Sequence, residues 1–349
     1  MEIESPPVPA LSLYSCLLWA AALLWLGGCT ASNTPNRDLS LGIGSEKQQI
    51  GAVVNLRRTV LTASVWSRFK SNWIVADRVN GQLKVFQADG TFRRSYGDAL
   101  FKKGRDVAYL FPYGERLIVI VRHYAKKTSR YSDHLVLMAA DGTTLQSIRF
   151  PRPGATVEDL MVQGDSLRVM VDYPRAKHPD QKGGDQPRYR PASLVIYRYE
   201  RMILQEVAAL QGTIELPSSS FLKKQRIDRR SVYSLRLYRR DELIGLFRVA
   251  DRVYLFRCDD TLTNFEVLSP RYHDRHTLLS GCQDGRWFLQ ETRRDGLVDV
   301  TEYTEKLERA RSYRIPERGR YGQLRRIAVI NGHLSTLYIS PQRVNIIYY

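Results

Sequence analysis

A nine-residue pattern recurs along this chain. Leu83-Lys84-Val85-Phe86-Gln87-Ala88-Asp89-Gly90-Thr91 has a clear relative in Leu135-Val136-Leu137-Met138-Ala139-Ala140-Asp141-Gly142-Thr143, and weaker copies begin at Leu194, Val253, Val298 and Val344. The starts lie 52, 59, 59, 45 and 46 residues apart. Within and between the copies, short segments alternate apolar with polar and are rich in Val, Ile, Leu, Tyr and Phe. Trp73-Ile74-Val75-Ala76-Asp77, Leu117-Ile118-Val119-Ile120-Val121 and Leu167-Arg168-Val169-Met170-Val171 are examples, and such segments read as strands. The best helical candidate after residue 28, Tyr303 to Arg311, is polar all round and has no apolar face to bury. Repeats of about 45 residues made of short strands indicate four-stranded propeller blades, with any excess length in loops. In the first two copies Asp-Gly falls between two strands, the preferred pair for a type I′ turn.

The expected fold is therefore all-β: a single β-propeller of six four-stranded blades, seven being the alternative count. A β-sandwich pair or a two-domain β protein is the competing architecture. The last blade would use Arg326 to Ile330, Leu334 to Ile339 and Arg343 to Tyr349, which leaves it one strand short. An N-terminal strand, Ile50 to Arg57, is expected to complete it and close the ring, removing two open sheet edges. Residues 74–92, Ile74-Val75-Ala76-Asp77-Arg78-Val79-Asn80-Gly81-Gln82-Leu83-Lys84-Val85-Phe86-Gln87-Ala88-Asp89-Gly90-Thr91-Phe92, resemble an NHL repeat. That resemblance implies a β-propeller, typically six-bladed. It is good over one blade and partial over a second, and Gln82 stands where the family usually has a basic residue.

The N-terminus carries a different signal. Leu11 to Leu26 is apolar except for Ser12, Tyr14, Ser15 and Cys16, a length that suits a signal-peptide core and is short for a spanning helix. Leu26-Gly27-Gly28-Cys29 resembles the lipobox of bacterial lipoproteins, which implies cleavage before Cys29 and acylation of its thiol. Two or more acyl chains give stable anchoring. Residues 1–28 are thus expected to be a lipoprotein signal peptide, 29–48 a flexible linker and 49–349 the propeller. An uncleaved signal anchor is the alternative, favoured by the acidic Met1-Glu2-Ile3-Glu4 flank. Cleavage would remove Glu2 and Glu4 but no Lys or Arg, raising the net charge from +17 to +19. The expected location is the cell envelope, on the periplasmic side or the outer membrane. Thr30 is not the Asp that some bacteria read as an inner-membrane retention signal. In that oxidising setting Cys258 and Cys282 are a candidate disulfide, with two separate buried thiols the alternative.

In a propeller, the turns joining strands one to two and three to four lie on one face, and the other connections lie opposite. On that basis the tight turns at Asp89, Asp141, Asp165, Asp259 and Asp284 fall on one side. The long connections with Lys102, Lys103, Arg105, Lys126, Lys127, Arg130, Arg188, Arg190, Arg318 and Arg320 fall on the other. A positive face is expected to meet an acidic protein or another anionic envelope component. Interleaved Tyr124, Tyr131, Tyr189 and Tyr321 would also suit nucleic acid, but export argues against that partner.

No catalytic residue, cofactor or metal is expected. The chain lacks a Gly-x-Ser-x-Gly elbow, a phosphate loop, His-Glu-x-x-His and Cys-x-x-Cys. His273 and His276 lie three apart around Asp274, but Arg271 and Arg275 oppose a cation there. Asp77, ending a strand, is expected to hold turn amides. The leading functional reading is a membrane-anchored, non-enzymatic binding scaffold. The alternative is a hydrolase or lyase with its site in the central channel.

Overall fold

Strand follows strand along the chain, and within each four-stranded sheet successive strands pair antiparallel, as neighbours in sequence joined by direct connections do. The computed structural model describes residues 37–349 apart from 45, 56–57, 62, 103, 126–129, 174–192, 212, 217–222, 224, 229–230, 240, 250–251, 273–275, 280 and 282–284. Six sheets form the blades. Blade 1 runs from Ala63–Phe69 to Phe92–Tyr96, blade 2 from Arg105–Tyr113 to Thr144–Arg149, and blade 3 from Thr156–Gln163 to Ile203–Gln211. Blade 4 runs from Val232–Arg239 to Glu266–Tyr272 and blade 5 from His276–Leu278 to Arg309–Pro316. Blade 6 combines Gly322–Ile330, His333–Ile339 and Arg343–Tyr348 with Arg37–Gly42, and the short Arg318–Gly319 adds to its inner edge. Every copy of the repeated pattern is the third strand of its blade: Gln82–Phe86, Arg130–Ala139, Ser193–Glu200, Arg252–Asp259, Leu297–Tyr303 and Arg343–Tyr348.

The core shows how the sheets are arranged. Six apolar clusters each unite two neighbouring blades: 1 with 2, 2 with 3, 3 with 4, 4 with 5, 5 with 6, and 6 with 1. In the last of these Trp73 and Phe86 of blade 1 pack with Ile346 and Tyr348 of blade 6. The molecule is a six-bladed β-propeller. Middle strands are buried on both faces because each face meets another blade, as in Leu117 to Val121. Phe92–Tyr96, an outer strand, is exposed at its three central residues. Such strands are charged, which guards open sheet edges.

Polar side chains tie the inner strands around the ring. Asp133 of blade 2 accepts the Val157 N–H of blade 3 at 2.8 Å, and Asp159 of blade 3 accepts the Leu237 N–H of blade 4 at 2.9 Å. Ser234 accepts the Leu278 N–H of blade 5 at 3.2 Å, and the Trp66 indole of blade 1 donates to Ser335 of blade 6 at 3.0 Å. Without these acceptors the buried donors would cost about 1–3 kcal/mol each.

Three expectations need correction. The ring is closed by Arg37–Gly42, paired from Arg37↔Tyr348 to Gly42↔Arg343, and not by residues 50–57. Leu39 and Leu41 enter the core while Ser40 faces out and donates to Asn345, an alternation hidden in a polar-looking stretch. The segment read as linker, 29–48, thus contains the closing strand; Ala52–Asn55 instead forms a hairpin with Arg58–Leu61. In keeping with its lack of an apolar face, Tyr303 to Arg311 is a hairpin crossing from one strand to the next, and Asp98–Phe101 forms a 3-10 turn. The Asp-Gly turns are not type I′. Only Gly90 and Gly142 have positive φ, at 89° and 98°, and the Gly90 and Gly142 N–H groups donate to Gln87 and Ala139. These are type I turns closed by a left-handed glycine, with Asp89 and Asp141 holding the N–H groups of Thr91 and Thr143.

Candidate functional site

Strand order sorts the connections by side. Among the described residues, the connections at 97–102, 150–155 and 317–321 join one blade to the next and share one side of the ring. The turns at Asp89, Asp141, Asp165 and Asp259 lie on the other. Lys102, Arg105, Arg318 and Arg320 are exposed, and among the described residues none of the four pairs with a carboxylate. Arg320 lies over the Tyr321 ring at 4.6 Å and donates to its hydroxyl. Lys103, Lys126, Lys127, Arg188 and Arg190 lie outside the described residues, and Arg130 begins a described strand.

On the same side blade 2 extends beyond its neighbours' cores. Tyr124 and Tyr131 are register partners at the end of its second and third strands. Their rings lie 5.1 Å apart, and they are 38% and 54% exposed, the most solvent-facing aromatics of the described core strands. Arg122, two residues before Tyr124 and therefore on the same face of the strand, lies 5.8 Å from the Tyr131 ring. Both its Nε and Nη2 donate to Asp133 at 2.8 Å, a bidentate clamp that fixes the guanidinium.

A cavity of about 50 Å³ lies at the hub, lined by residues of five blades, among them Trp66, Tyr109, Leu160, Gly281, Arg326 and Ile330. The Tyr109 hydroxyl and Arg236 Nη1 both donate toward the Glu158 carbonyl, each at 3.5 Å. Arg326 lies 6.0 Å over the Trp66 ring. Burial, and then the nearby Arg122 charge, lower the Arg326 pKa. Asp159 lines the same cavity and accepts N–H groups from Leu237 and Gly281. Burial pushes its carboxyl up to about 6 against the pull of Arg236. The sequence reading missed Tyr109, Arg122, Asp133, Asp159, Arg236 and Arg326. The available signal was a charge placed within an otherwise apolar strand, as in Val157-Glu158-Asp159-Leu160.

Other expected sites resolve more simply. Asp77 is fully buried, accepts from the Asn80 amide and side chain and from the Gly51 N–H, and pairs with buried Lys84 at 2.9 Å. Cys258 is a free thiol packed with Leu243 and Leu262, and burial raises its pKa. It faces the core between blades 3 and 4, and Cys282, its candidate disulfide partner, lies outside the described residues. So do Cys29 and His273. No group of three or more His, Cys, Asp or Glu suited to a metal occurs among the described residues.

No protein-family model and no curated protein matches this chain. The NHL resemblance accordingly stands on residues 74–92 alone. Among solved structures it is similar to a nominally exported protein of Bacteroides fragilis, at 9% identity over 92% of this chain and 97% of that one, with a TM-score of 0.47. A member of the DUF4221 family from Bacteroides vulgatus aligns at 8% identity over 90% and 97%, TM-score 0.44. An acylaminoacyl peptidase of Pyrococcus horikoshii aligns at 9% identity over 81% of this chain and 44% of that one, TM-score 0.43. Likenesses this distant carry nothing about activity.

Proposed function

We propose that this protein is a lipid-anchored, non-enzymatic binding scaffold of a bacterial cell envelope, tethered through Cys29, that holds an acidic protein or another anionic envelope component on the side bearing its long connections. The observation that carries this reading is the sorting of loops by strand order. The reading is supported by Lys102, Arg105, Arg318 and Arg320, which are exposed at or beside connections of one side, with tight Asp turns opposite. The exposed Tyr124 and Tyr131 beside the clamped Arg122 add the aromatic and guanidinium groups that dominate binding energy at protein interfaces.

The test is a crosslinking pulldown from envelope fractions at increasing salt, using the natural chain and a variant with Lys102→Glu, Arg105→Glu, Arg318→Glu and Arg320→Glu. Partner recovery should fall with salt, and the variant should lose about tenfold or more in association rate. Unchanged partners in the variant would refute the basic-face reading. In parallel, Cys29→Ser should abolish acyl labelling and release the protein from membranes; continued membrane retention without label would mean a signal anchor.

A further inference from the structure

The hub cavity is separate from the exposed loops, and its chemistry is different. At about 50 Å³ it holds roughly three or four water-sized groups. Its walls are mostly apolar, with Val65, Leu160 and Ile330 among them, and its polar residues are few: Tyr109, Arg326 and Asp159. An apolar hollow with a small number of convergent polar groups is the general form of a small-molecule site.

We propose that this cavity receives the carboxylate end of a small organic acid, with Arg326 and Tyr109 holding the two carboxylate oxygens and the aliphatic wall covering a short apolar stem. A guanidinium and a hydroxyl supply donors matched to a carboxylate. Phosphate fits less well, because it presents oxygens on every side to a wall that is mainly hydrocarbon. Asp159 is engaged within the wall, its two oxygens accepting the Leu237 and Gly281 N–H groups beside Arg236, which offsets its charge. Burial strips water from the Arg326 guanidinium, which stays protonated, so an anion placed against it replaces part of that lost solvation. This inference does not rest on the basic-face reading, and either can fail alone.

Calorimetric titration of the full-length protein at fixed ionic strength provides the test. The probes are acetate, propionate, butyrate and inorganic phosphate, together with one short peptide carrying either a free or an amidated C-terminus. Saturable binding of carboxylates and weaker binding of phosphate are expected. Arg326→Met should weaken carboxylate binding about tenfold or more, and Tyr109→Phe about fivefold. Glu115→Gln, in an exposed turn outside both sites, should leave it unchanged. The peptide pair separates the sources: binding that requires the free C-terminus points to a chain end, and binding confined to the simple acids points to a free metabolite. Equal affinity for phosphate, absence of saturation, or undiminished binding by Tyr109→Phe would overturn the assignment. The last variant removes one hydroxyl oxygen and so remains informative if Arg326→Met does not fold.

Discussion

Asp159 performs two tasks that conflict. It must be buried to reach the backbone of blades 4 and 5, and burial raises its pKa to about 6, against an ordinary value just below 4. Between those two values the folded protein holds a proton that the unfolded chain has released. Stability contributed by this group is therefore present at pH 4 and is lost as pH rises through 6, by about 3 kcal/mol for a fully buried site. Asp159→Asn cannot titrate. Subtracting its denaturant-derived stability from that of the natural protein at pH 4, 5, 6 and 7 should give a difference that changes steeply up to pH 6 and then levels. Parallel curves would show that the carboxyl titrates normally. Such residues were the hardest to foresee, because Asp133 and Asp159 break the apolar alternation that identifies their own strands. Their partners are N–H groups of strands 24 and 78 residues away in sequence.

Hairpin turns illustrate how elements obey or strain local rules. Gly90 and Gly142 occupy left-handed positions that only glycine fills easily, and a Cβ on Gly142 would stand 2.5 Å from the Tyr96 ring. The turn of blade 3 has no such help. Glu200 pairs with Ile203, so Arg201 and Met202 form a two-residue loop, and both are left-handed at φ 50° and 69°. That geometry asks for Asn-Gly. Replacing Arg201→Asn and Met202→Gly should stabilise the protein by about 1–2 kcal/mol, read as a higher melting temperature with unchanged circular dichroism. A lower melting temperature would mean that the Met202 contacts with Tyr199 outweigh backbone strain. At this scale the strands were legible from period-two alternation, and all six third strands were located from the repeat. The closing strand was misplaced because Arg37-Asp38-Leu39-Ser40-Leu41-Gly42 offers just two apolar residues, and pairing with Arg343–Tyr348, more than 300 residues away, is what makes it a strand.

At the level of the whole molecule, the six-blade count was legible because each blade must cover its neighbour and repeats the same four-strand solution. The side of each connection was legible too, since it follows from strand order alone. The hub was not, because its residues come from five blades and share no spacing. Closure of blade 6 by the first described strand has one more consequence. Arg37 stands opposite Tyr348, so the first and last described strands meet as neighbours in one sheet. The starting point of the ring is then a matter of covalent bookkeeping. A circular permutant that joins Tyr349 to Arg37 by a short linker, and begins at Glu115 in the exposed Gly114-Glu115 turn, should reach the same fold and melt as one cooperative unit. An insoluble or non-cooperative product would mean that the natural order of the blades, beyond their contacts, is required to build the ring.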